Sequence, residues 1–322
     1  MYMYNFMMFP LYILSIMFSL SSTSWIFIWF GMEMNLLTFI FLMFKNKASM
    51  TTMESIMKYF LVQSIGSLIF MLTINSNMIF YNEKSSICAL VPPLALMLKS
   101  GMAPFHFWTP SVVLKFSYMV MFLFLSLQKI VPLFVMFSSW FWLLPTSSLL
   151  NIVVGSVGGV NQSSILKMFL FSSINNIGWM IMSMMQSFNL FIIFFINYSI
   201  LLFLVMSMVY KTQIKWIIQV KSYKPAFKIL FASMLMSMSG YPPFLGFVPK
   251  WLNIKYLYLN YFLIVILSVV LSIYTLFFYL KSMTMILTKS MVFKKWKMKN
   301  TIKMSFLVFM NIMGPMLFYI IN

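Results

Sequence analysis

The sequence of 322 residues is 62% hydrophobic and only 8% charged. Soluble globular proteins carry about 25% charged residues, so this composition excludes a soluble domain and predicts a polytopic membrane protein. The formal net charge of +19 could suggest nucleic-acid binding, but the lysines lie in short stretches between apolar runs and form no basic face, so we exclude that partner.

Eleven apolar stretches are long enough to cross a bilayer as helices. We place them at about 3–20, 24–44, 57–80, 87–108, 112–136, 140–160, 164–185, 188–210, 228–250, 256–286 and 303–321. The longest connections run over about 211–227 and 287–302. The first of these has two readings, an amphipathic segment at the membrane surface or an ordinary charged loop.

All 22 basic residues are lysines, and their distribution supports this span count. Two of them, Lys84 and Lys255, fall in odd-numbered connections, and three fall inside spans. The other seventeen lie in even-numbered connections: Lys45, Lys47, Lys58, Lys115, Lys167, Lys211, Lys215, Lys221, Lys224, Lys228, Lys281, Lys289, Lys294, Lys295, Lys297, Lys299 and Lys303. By the positive-inside rule, the N-terminus and the even-numbered connections share the inner side, and the C-terminus lies on the opposite side.

Span four combines a lysine, a glycine, a proline and the only histidine of the chain, at Lys99, Gly101, Pro104 and His106. A lysine at a bilayer centre costs about 2.5–3.5 kcal/mol on insertion scales. A Gly-x-x-Pro break frees backbone groups that lipid cannot satisfy, so it must face protein or a wet cavity. A buried lysine beside a broken helix is typical of a transport site.

Span nine carries a second interruption, at Gly240, Pro242 and Pro243, which is followed by Lys250. Two interrupted spans that lie five spans apart suggest an inverted repeat. We expect residues 1–139 to form the first repeat and residues 140–286 the second, with 287–322 as a connection and terminal helix. The two lysines do not align, because Lys99 precedes its proline and Lys250 follows.

The run K-S-G-M-A-P-F-H-F-W-T-P, from Lys99 to Pro110, resembles the signature of the subunit 2 family of NADH dehydrogenase, an antiporter-like membrane subunit of respiratory complex I. Further matches follow around Glu33, in Gln128-Lys129 with Pro132, and in Pro249-Lys250-Trp251. The resemblance implies an all-α, antiporter-like inverted repeat of about 11 transmembrane helices with two broken helices. An eleven-span count fits the shorter form of the subunit, in which many animals have lost three helices.

Glu33 is the acid that falls inside a span, whereas Glu54 and Glu83 fall in connections. An ionised carboxylate in lipid must pair or take up a proton, so we expect Glu33 to handle protons with Lys99 as its partner. The alternative is a purely structural ion pair. The resemblance also implies an essential glutamate in this motif. Glu54 is placed to pair with Lys58 at i, i+4.

Lys129 and Lys250 complete the expected set of proton-translocating residues. Snorkelling to an interface is the alternative for Lys99 and Lys129, and an anchoring role beside Trp251 is the alternative for Lys250. His106 is a candidate proton relay, with a hydrogen-bonded structural role as the equal alternative, and a single histidine makes no metal site.

Two positions depart from the family pattern. Asn176 stands where the family often has a histidine, and Ser111 stands where many relatives have a glutamate. Neither side chain can exchange a proton in the physiological range, so a pathway at these positions must use water, hydroxyl or amide groups.

No cofactor site is predicted in this chain. It has no G-x-G-x-x-G, no cysteine cluster and no histidine pair. Cys88 is single and is expected to be a small buried residue. The glycines of 155–159 fit close helix packing better than phosphate binding. The resemblance implies that NADH, FMN, iron–sulfur clusters and ubiquinone are used elsewhere in the complex.

The absence of Arg and Asp, with abundant Met, Phe, Ile and Asn, indicates an A/T-rich genetic template of the kind found in animal mitochondrial genomes. No Arg-rich transit peptide is visible. We therefore expect a protein of the mitochondrial inner membrane, with its N-terminus in the matrix and its C-terminus in the intermembrane space.

The resemblance implies proton translocation in the membrane arm of NADH:ubiquinone oxidoreductase, driven by electron transfer elsewhere. It also implies other membrane-arm and accessory subunits and the lipids of the inner membrane as partners. Two alternatives are a free-standing cation/proton antiporter of the same fold and a structural membrane-arm subunit that no longer pumps.

Overall fold

The computed structural model describes residues 2–44, 50–76 and 90–288. Within these ranges the structure is helical, and it divides into two compact units whose boundary follows Leu143. Several sequence predictions lie outside the described residues. They concern span eleven, Cys88, Glu83, Lys84 and the lysines of 45–47 and 289–303.

The first unit contains seven α-helices. They are α1 Tyr2–Ser21, α2 Trp25–Met43, α3 Met50–Asn75, α4 Val91–Ser100, α5 Thr109–Val113, α6 Tyr118–Leu125 and α7 Ile130–Ser139. Helices α1 to α4 pack successively, each against the next. Gly31 lets α2 approach α1, because a Cβ there would lie 2.7 Å from Ser19 Cβ. Phe39 and Tyr59 meet in the aromatic core, with ring centroids 5.2 Å apart.

The second unit contains six α-helices within the described range. They are α8 Leu144–Gly159, α9 Ile165–Gln186, α10 Phe188–Thr212, α11 Pro225–Ser239, α12 Phe247–Leu257 and α13 Phe262–Leu287. Nearly every residue of α9 is buried, including the polar side chains of Ser172, Ser173, Asn175 and Asn176. It packs against α8, α10 and α12 and so forms the centre of this unit.

The glycines of α8 serve close packing, which confirms the sequence prediction. A Cβ at Gly155 would collide with the backbone nitrogen of Asn175 in α9. In the other direction, a Cβ at Gly178 would lie 2.5 Å from Ile152 Cγ1. Small residues at such crossings let two backbones approach closely, which stabilises helix pairs in membranes.

Seven helical segments of the described residues are long and apolar enough to cross a membrane. They are Trp25–Met43, Met50–Asn75, Tyr118–Ser139, Phe141–Gly159, Ile165–Gln186, Phe188–Thr212 and Phe262–Leu287. Met7–Ser21 and Pro225–Ser239 are shorter apolar helices. The all-α, multi-pass architecture is therefore confirmed, whereas the count of eleven spans and the two repeat boundaries stay predictions.

Both interrupted spans are present, and their first halves end in the same way. Helix α4 ends at Gly101 (φ 67°) and α11 ends at Gly240 (φ 83°), both in the left-handed conformation that favours glycine. Each glycine N–H donates three residues back, to Leu98 O or Ser237 O, and the next N–H donates five residues back. These bonds satisfy the last carbonyls of the two helices.

A third interruption was not predicted. Ser126 leaves the helical conformation between α6 and α7 (φ −111°, ψ −83°), and a 3₁₀ turn over Leu127–Lys129 follows. The predicted span of 112–136 therefore begins at the end of α5 and then contains α6 and α7, which are joined by this turn. Lys129 is the last residue of that turn.

Candidate functional site

Glu33 and Lys99 form an ion pair in the first unit. The Lys99 Nζ lies 3.7 Å from Glu33 Oε1, and the side chains of Lys99 and Glu33 are 4% and 27% exposed. Glu33 lies on α2, and Lys99 lies in the last turn of α4, directly before the Gly101 break. The separation exceeds that of a direct hydrogen bond, but the two charges are close enough to attract each other.

Helix α3 holds the lysine from the side. The Gln63 amide nitrogen donates to the Lys99 carbonyl oxygen at 2.7 Å, which satisfies a carbonyl at the end of α4. Gly66 lies against the stem of Lys99, since a Cβ there would be 2.9 Å from Lys99 Cγ. The lysine backbone is thereby fixed at a point where the helix ends.

Lys129 is also buried, at 5% exposure, in the 3₁₀ turn of the third interruption. The preceding residue, Gln128, exchanges two hydrogen bonds with Asn35 of α2. The Asn35 amide donates to Gln128 Oε1 at 3.2 Å, and the Gln128 amide donates to Asn35 Oδ1 at 3.3 Å. This amide pair joins the helix of Glu33 to the turn of Lys129.

His106 lies within the first break and is half-buried. Its carbonyl oxygen accepts from the Thr109 N–H at 3.0 Å and from the Thr109 hydroxyl at 2.7 Å, which begins α5. The ring of His106 lies against that of Phe107, with centroids 4.4 Å apart. Pro104 of this break is exposed, as are Pro242 and Pro243 of the second break.

Lys250 reaches back to the end of the helix before it. Its Nζ donates to the Ser239 carbonyl oxygen at 2.7 Å and lies 5.6 Å from the centroid of the Trp179 ring. A Cβ at Gly240 would lie 2.9 Å from Lys250 Cδ. Lys250 is 6% exposed, so the side chain is enclosed by its own unit and does not point outward.

A cavity of about 20 Å³ lies beside Lys250. Its polar lining comes from Asn176, Asn197, Tyr198 and Ser237. A cavity needs at least about 10–15 Å³ and several polar partners to hold a water molecule, and this one meets both conditions. Asn176 is therefore close to Lys250, in a setting where water can connect amide, hydroxyl and ammonium groups.

Two other predicted positions lie apart from these groups. Ser111 is exposed on α5, and its hydroxyl donates to the Trp108 carbonyl oxygen at 2.8 Å. Glu54 pairs with Lys58 on the exposed face of α3, as the i, i+4 spacing predicted.

Sequence reasoning missed the Asn35–Gln128 pair and Gln63. It also missed three polar residues that line the Lys250 cavity with Asn176, namely Asn197, Tyr198 and Ser237. Asn35 and Gln128 are 93 positions apart, and each is polar within an apolar span. Polar residues at such positions usually find a partner, but no local pattern shows which one.

The sequence matches two groups of known proteins. The NADH:quinone oxidoreductase/Mrp antiporter transmembrane family matches residues 22–275. NADH-ubiquinone oxidoreductase chain 2 of Anopheles gambiae is 38% identical over 294 residues, which cover 88% of this chain and 85% of the relative. The same-named chain of Pongo pygmaeus is 33% identical over 299 residues, covering 87% and 86%.

Solved structures share the fold at lower identity. A chain of the Mrp complex from Dietzia sp. matches at a TM-score of 0.75 and 18% identity over 87% of this chain, which spans only 60% of that chain. A chain of respiratory complex I from Thermus thermophilus matches at 0.71 and 19% identity, covering 87% and 69%. On the family match and the chain 2 relatives together, the chain belongs to the NADH:quinone oxidoreductase/Mrp antiporter transmembrane family.

Proposed function

We propose that the chain is a proton-translocating membrane-arm subunit of NADH:ubiquinone oxidoreductase, as its chain 2 relatives are named. The observation that carries the proposal is the Glu33–Lys99 pair beside the Gly101 break. A charge buried in a membrane protein is costly, and pairs of opposite charge at a broken helix are typical of proton pathways.

In the proposed first step, the pair opens. While Glu33 is close, its negative charge stabilises the positive charge of Lys99. When α2 shifts the carboxylate away, a buried ammonium without that charge gives up its proton more readily. A proton moved against 100 mV needs about 2.3 kcal/mol, which is comparable to the change in electrostatic energy when a partly buried pair separates.

Lys129 is the proposed next group in the first unit. The Asn35–Gln128 amide pair joins α2 to the turn that carries Lys129, so a shift of α2 would move both ends of the pathway together. The interruption at Ser126 leaves the turn outside the regular helix ladder and thus easier to displace. His106 is the remaining titratable group of the first break, and we propose it as a relay.

Lys250 is the proposed proton-carrying group of the second unit. Its cavity is lined by Asn176, Asn197 and Tyr198, and none of the three is a carboxylate or imidazole. Water held by these groups would pass the proton onward. A titratable residue at position 176 is then not required, because the Asn176 amide can orient a water molecule without exchanging a proton itself.

The exposed side chains at the first helix break indicate that another protein covers this part of the chain. Phe107 is 81% exposed and Pro104 is exposed, within a segment that interrupts an apolar span. Irregular backbone is not stable against lipid, so another protein surface should cover it. We propose that neighbouring membrane-arm or accessory subunits do so, in the mitochondrial inner membrane. We assign no cofactor to this chain, and NADH, FMN, iron–sulfur clusters and ubiquinone belong to other subunits of the complex.

The test uses two acids in two environments. Glu33→Gln should cut proton pumping and NADH:ubiquinone turnover together, because the two are coupled. Glu54→Gln, which removes the same charge from an exposed pair, should leave both near normal. Pumping is measured with a pH-sensitive dye in vesicles that contain the purified complex.

A double-mutant cycle measures whether Glu33 and Lys99 are energetically coupled during pumping. Glu33→Gln combined with Lys99→Met should cost much less than the sum of the single changes, by an interaction energy of about 0.5–3 kcal/mol. Strict additivity would remove the pair from the mechanism. Normal pumping in Glu33→Gln would favour a subunit that has only a structural role.

A free-standing cation/proton antiporter is the second candidate, and the likeness to a chain of the Mrp complex keeps it open. The two functions predict different behaviour in mild detergent. A subunit should migrate with NADH dehydrogenase activity in a native gel, whereas a free-standing antiporter should separate from it.

A further inference from the structure

A second cavity, unrelated to Lys99 and Lys250, lies at one end of the second unit. It measures about 210 Å³ and is lined by the connection between α8 and α9, by the 3₁₀ turn Ile217–Ser222 and by the last turns of α13. Its apolar walls include Met168, Ile217, Phe278 and Met285. A cavity of about 150 Å³ lined by apolar side chains can accept a benzene-sized group, so this one has room for part of an acyl chain.

The walls of the cavity are held in place by hydrogen bonds between two connections. The Ile165 N–H donates to the Lys215 carbonyl oxygen at 3.1 Å, and the Ile217 N–H donates to the Ser163 carbonyl oxygen at 3.3 Å. Ser164 and Trp216 form an isolated antiparallel bridge between the same segments. The turn also packs against α13. The cavity is therefore part of the folded structure and not a gap between loose loops.

The mouth of the cavity is polar and positive. Lys281 and Ser163 line it and are exposed, and the Lys281 Nζ lies 3.5 Å from the Val160 carbonyl oxygen. The last acidic residue of the sequence is Glu83, so no Asp or Glu side chain of the second unit can pair with Lys281. Fifteen of the 22 lysines follow Leu144, which leaves this unit strongly positive.

Exposed apolar side chains surround this end of the unit. Trp216 is 50% exposed and Ile218 is 64% exposed, on either side of the buried Ile217. Lys215 precedes them and is exposed. Tryptophan beside lysine is typical of the zone where lipid headgroups meet the hydrocarbon layer. In such a zone the cavity mouth would lie at the depth of the lipid phosphate groups.

We propose that this cavity binds an anionic phospholipid. The phosphate would contact the Lys281 ammonium at the mouth, and the upper part of one acyl chain would lie between Phe278, Met285 and Ile217. Basic pockets between transmembrane helices suit anionic headgroups because both the charge and the apolar chain are accommodated. The site is independent of the proton pathway proposed above.

The experiment uses the purified membrane complex that contains the chain, in nanodiscs of phosphatidylcholine. A trace of phosphatidylglycerol with a photoactivatable acyl chain is added, and phosphatidylcholine with the same photoactivatable chain serves as the comparison. Cross-linked peptides are mapped by mass spectrometry. We expect the peptide that spans Phe278 and Met285 to be labelled about fivefold more by phosphatidylglycerol, as one lysine near a charged headgroup would give.

Three variants make the result specific. Lys281→Met should abolish the preference for phosphatidylglycerol, whereas Lys281→Arg should keep it. Lys224→Met is the matched control, because it removes an exposed lysine that does not line the cavity, and it should also keep the preference. Ser163→Trp should reduce labelling by both lipids, because the larger side chain would obstruct the mouth.

Two results would overturn the proposal. Equal labelling by both lipids would mean that the cavity contacts lipid without recognising the headgroup. Labelling absent from the cavity, together with a cross-link from a photoreactive residue at position 218 to residues after 288 or to another subunit, would mean that protein fills the cavity.

Discussion

The three intramembrane lysines are buried to a similar degree and differ in what they contact. Lys99 faces a carboxylate, Lys129 belongs to a turn whose Gln128 pairs with α2, and Lys250 donates to a backbone carbonyl and lies near an indole ring. A carboxylate can move and take up a proton, whereas a carbonyl cannot be protonated in this range. Under the proposed function, the two units would therefore control a lysine proton by different means.

Lys250→Met should slow pumping-linked turnover while the complex still assembles, because methionine fills the apolar space but carries no proton. Lys255→Met is the matched control on the same helix, since Lys255 is exposed. Turnover is measured with NADH and ubiquinone in sealed vesicles, and assembly is measured by native gel. Coupled activity near normal in Lys250→Met would remove Lys250 from the pathway.

Among the individual residue contacts, the sequence predicted that between Glu33 and Lys99 from charge alone. Glu33 is the only acid of the chain that falls inside a predicted span, and Lys99 in span four is the nearest lysine at a predicted helix break. The partner of Lys250 could not be predicted in that way. A carbonyl oxygen is present at every residue, and only the left-handed Gly240 exposes that of Ser239 to the lysine.

The helices show why two breaks were visible in the sequence and a third was not. Gly101 and Gly240 mark left-handed helix ends, and Pro104, Pro242 and Pro243 follow them. The break at Ser126 has no glycine and no proline within it. Its conformation depends on tertiary contacts, including the Gln128–Asn35 pair, and such contacts override local propensity.

Gly101→Ala should lower the melting temperature of the purified complex. A left-handed alanine costs about 1–2 kcal/mol, and its Cβ would lie 2.5 Å from Thr109 Cγ2. Combining it with Thr109→Ser removes that methyl group and keeps the hydroxyl bond to His106, so part of the loss should be recovered. A melting temperature unchanged in Gly101→Ala would mean that α4 can end in another conformation.

The amide pair between α2 and the Lys129 turn should position the turn as well as stabilise it. Gln128→Met leaves the buried amide of Asn35 unsatisfied, and Asn35→Leu leaves the half-buried amide of Gln128 unsatisfied. An unsatisfied buried group costs about 1–3 kcal/mol, so each change should reduce assembly, Gln128→Met the more strongly. Replacing both should restore assembly, because neither polar group then lacks a partner.

Pumping distinguishes positioning from stability in these variants. If the pair positions Lys129, the double apolar variant should assemble normally and still pump slowly. The exchanged variant, Asn35→Gln with Gln128→Asn, keeps an amide on both sides and should pump better than either single change. Full pumping in the double apolar variant would reduce the pair to a structural contact.

For the whole molecule, the distribution of lysines remains the main argument for topology. It predicts that the connection of 211–227 faces the matrix and that the connection between α12 and α13 faces the intermembrane space. The interfacial side chains Trp216 and Ile218 favour the reading of the first segment as lying at the membrane surface.

Tags at two sites test this orientation in mitoplasts. A tag within residues 211–227 should resist external protease until detergent is added. A tag at Leu259, which is 87% exposed between α12 and α13, should be cut at once. The opposite pattern would invert the topology, and cleavage at both sites would make the span count wrong.

The composition of the second unit has a consequence for ion selectivity. Sodium and other hard cations bind to oxygen ligands, carboxylates above all, and no Asp or Glu follows Glu83. Among the described residues, no cluster of His, Cys, Asp and Glu could hold a metal ion. In its charged form Lys250 repels Na⁺ and K⁺ from its surroundings, and under the proposed function the same group carries the translocated proton. A proton path through this unit would therefore exclude metal cations by electrostatic repulsion and not by their size. It would need no pore of a fixed diameter to be selective for protons.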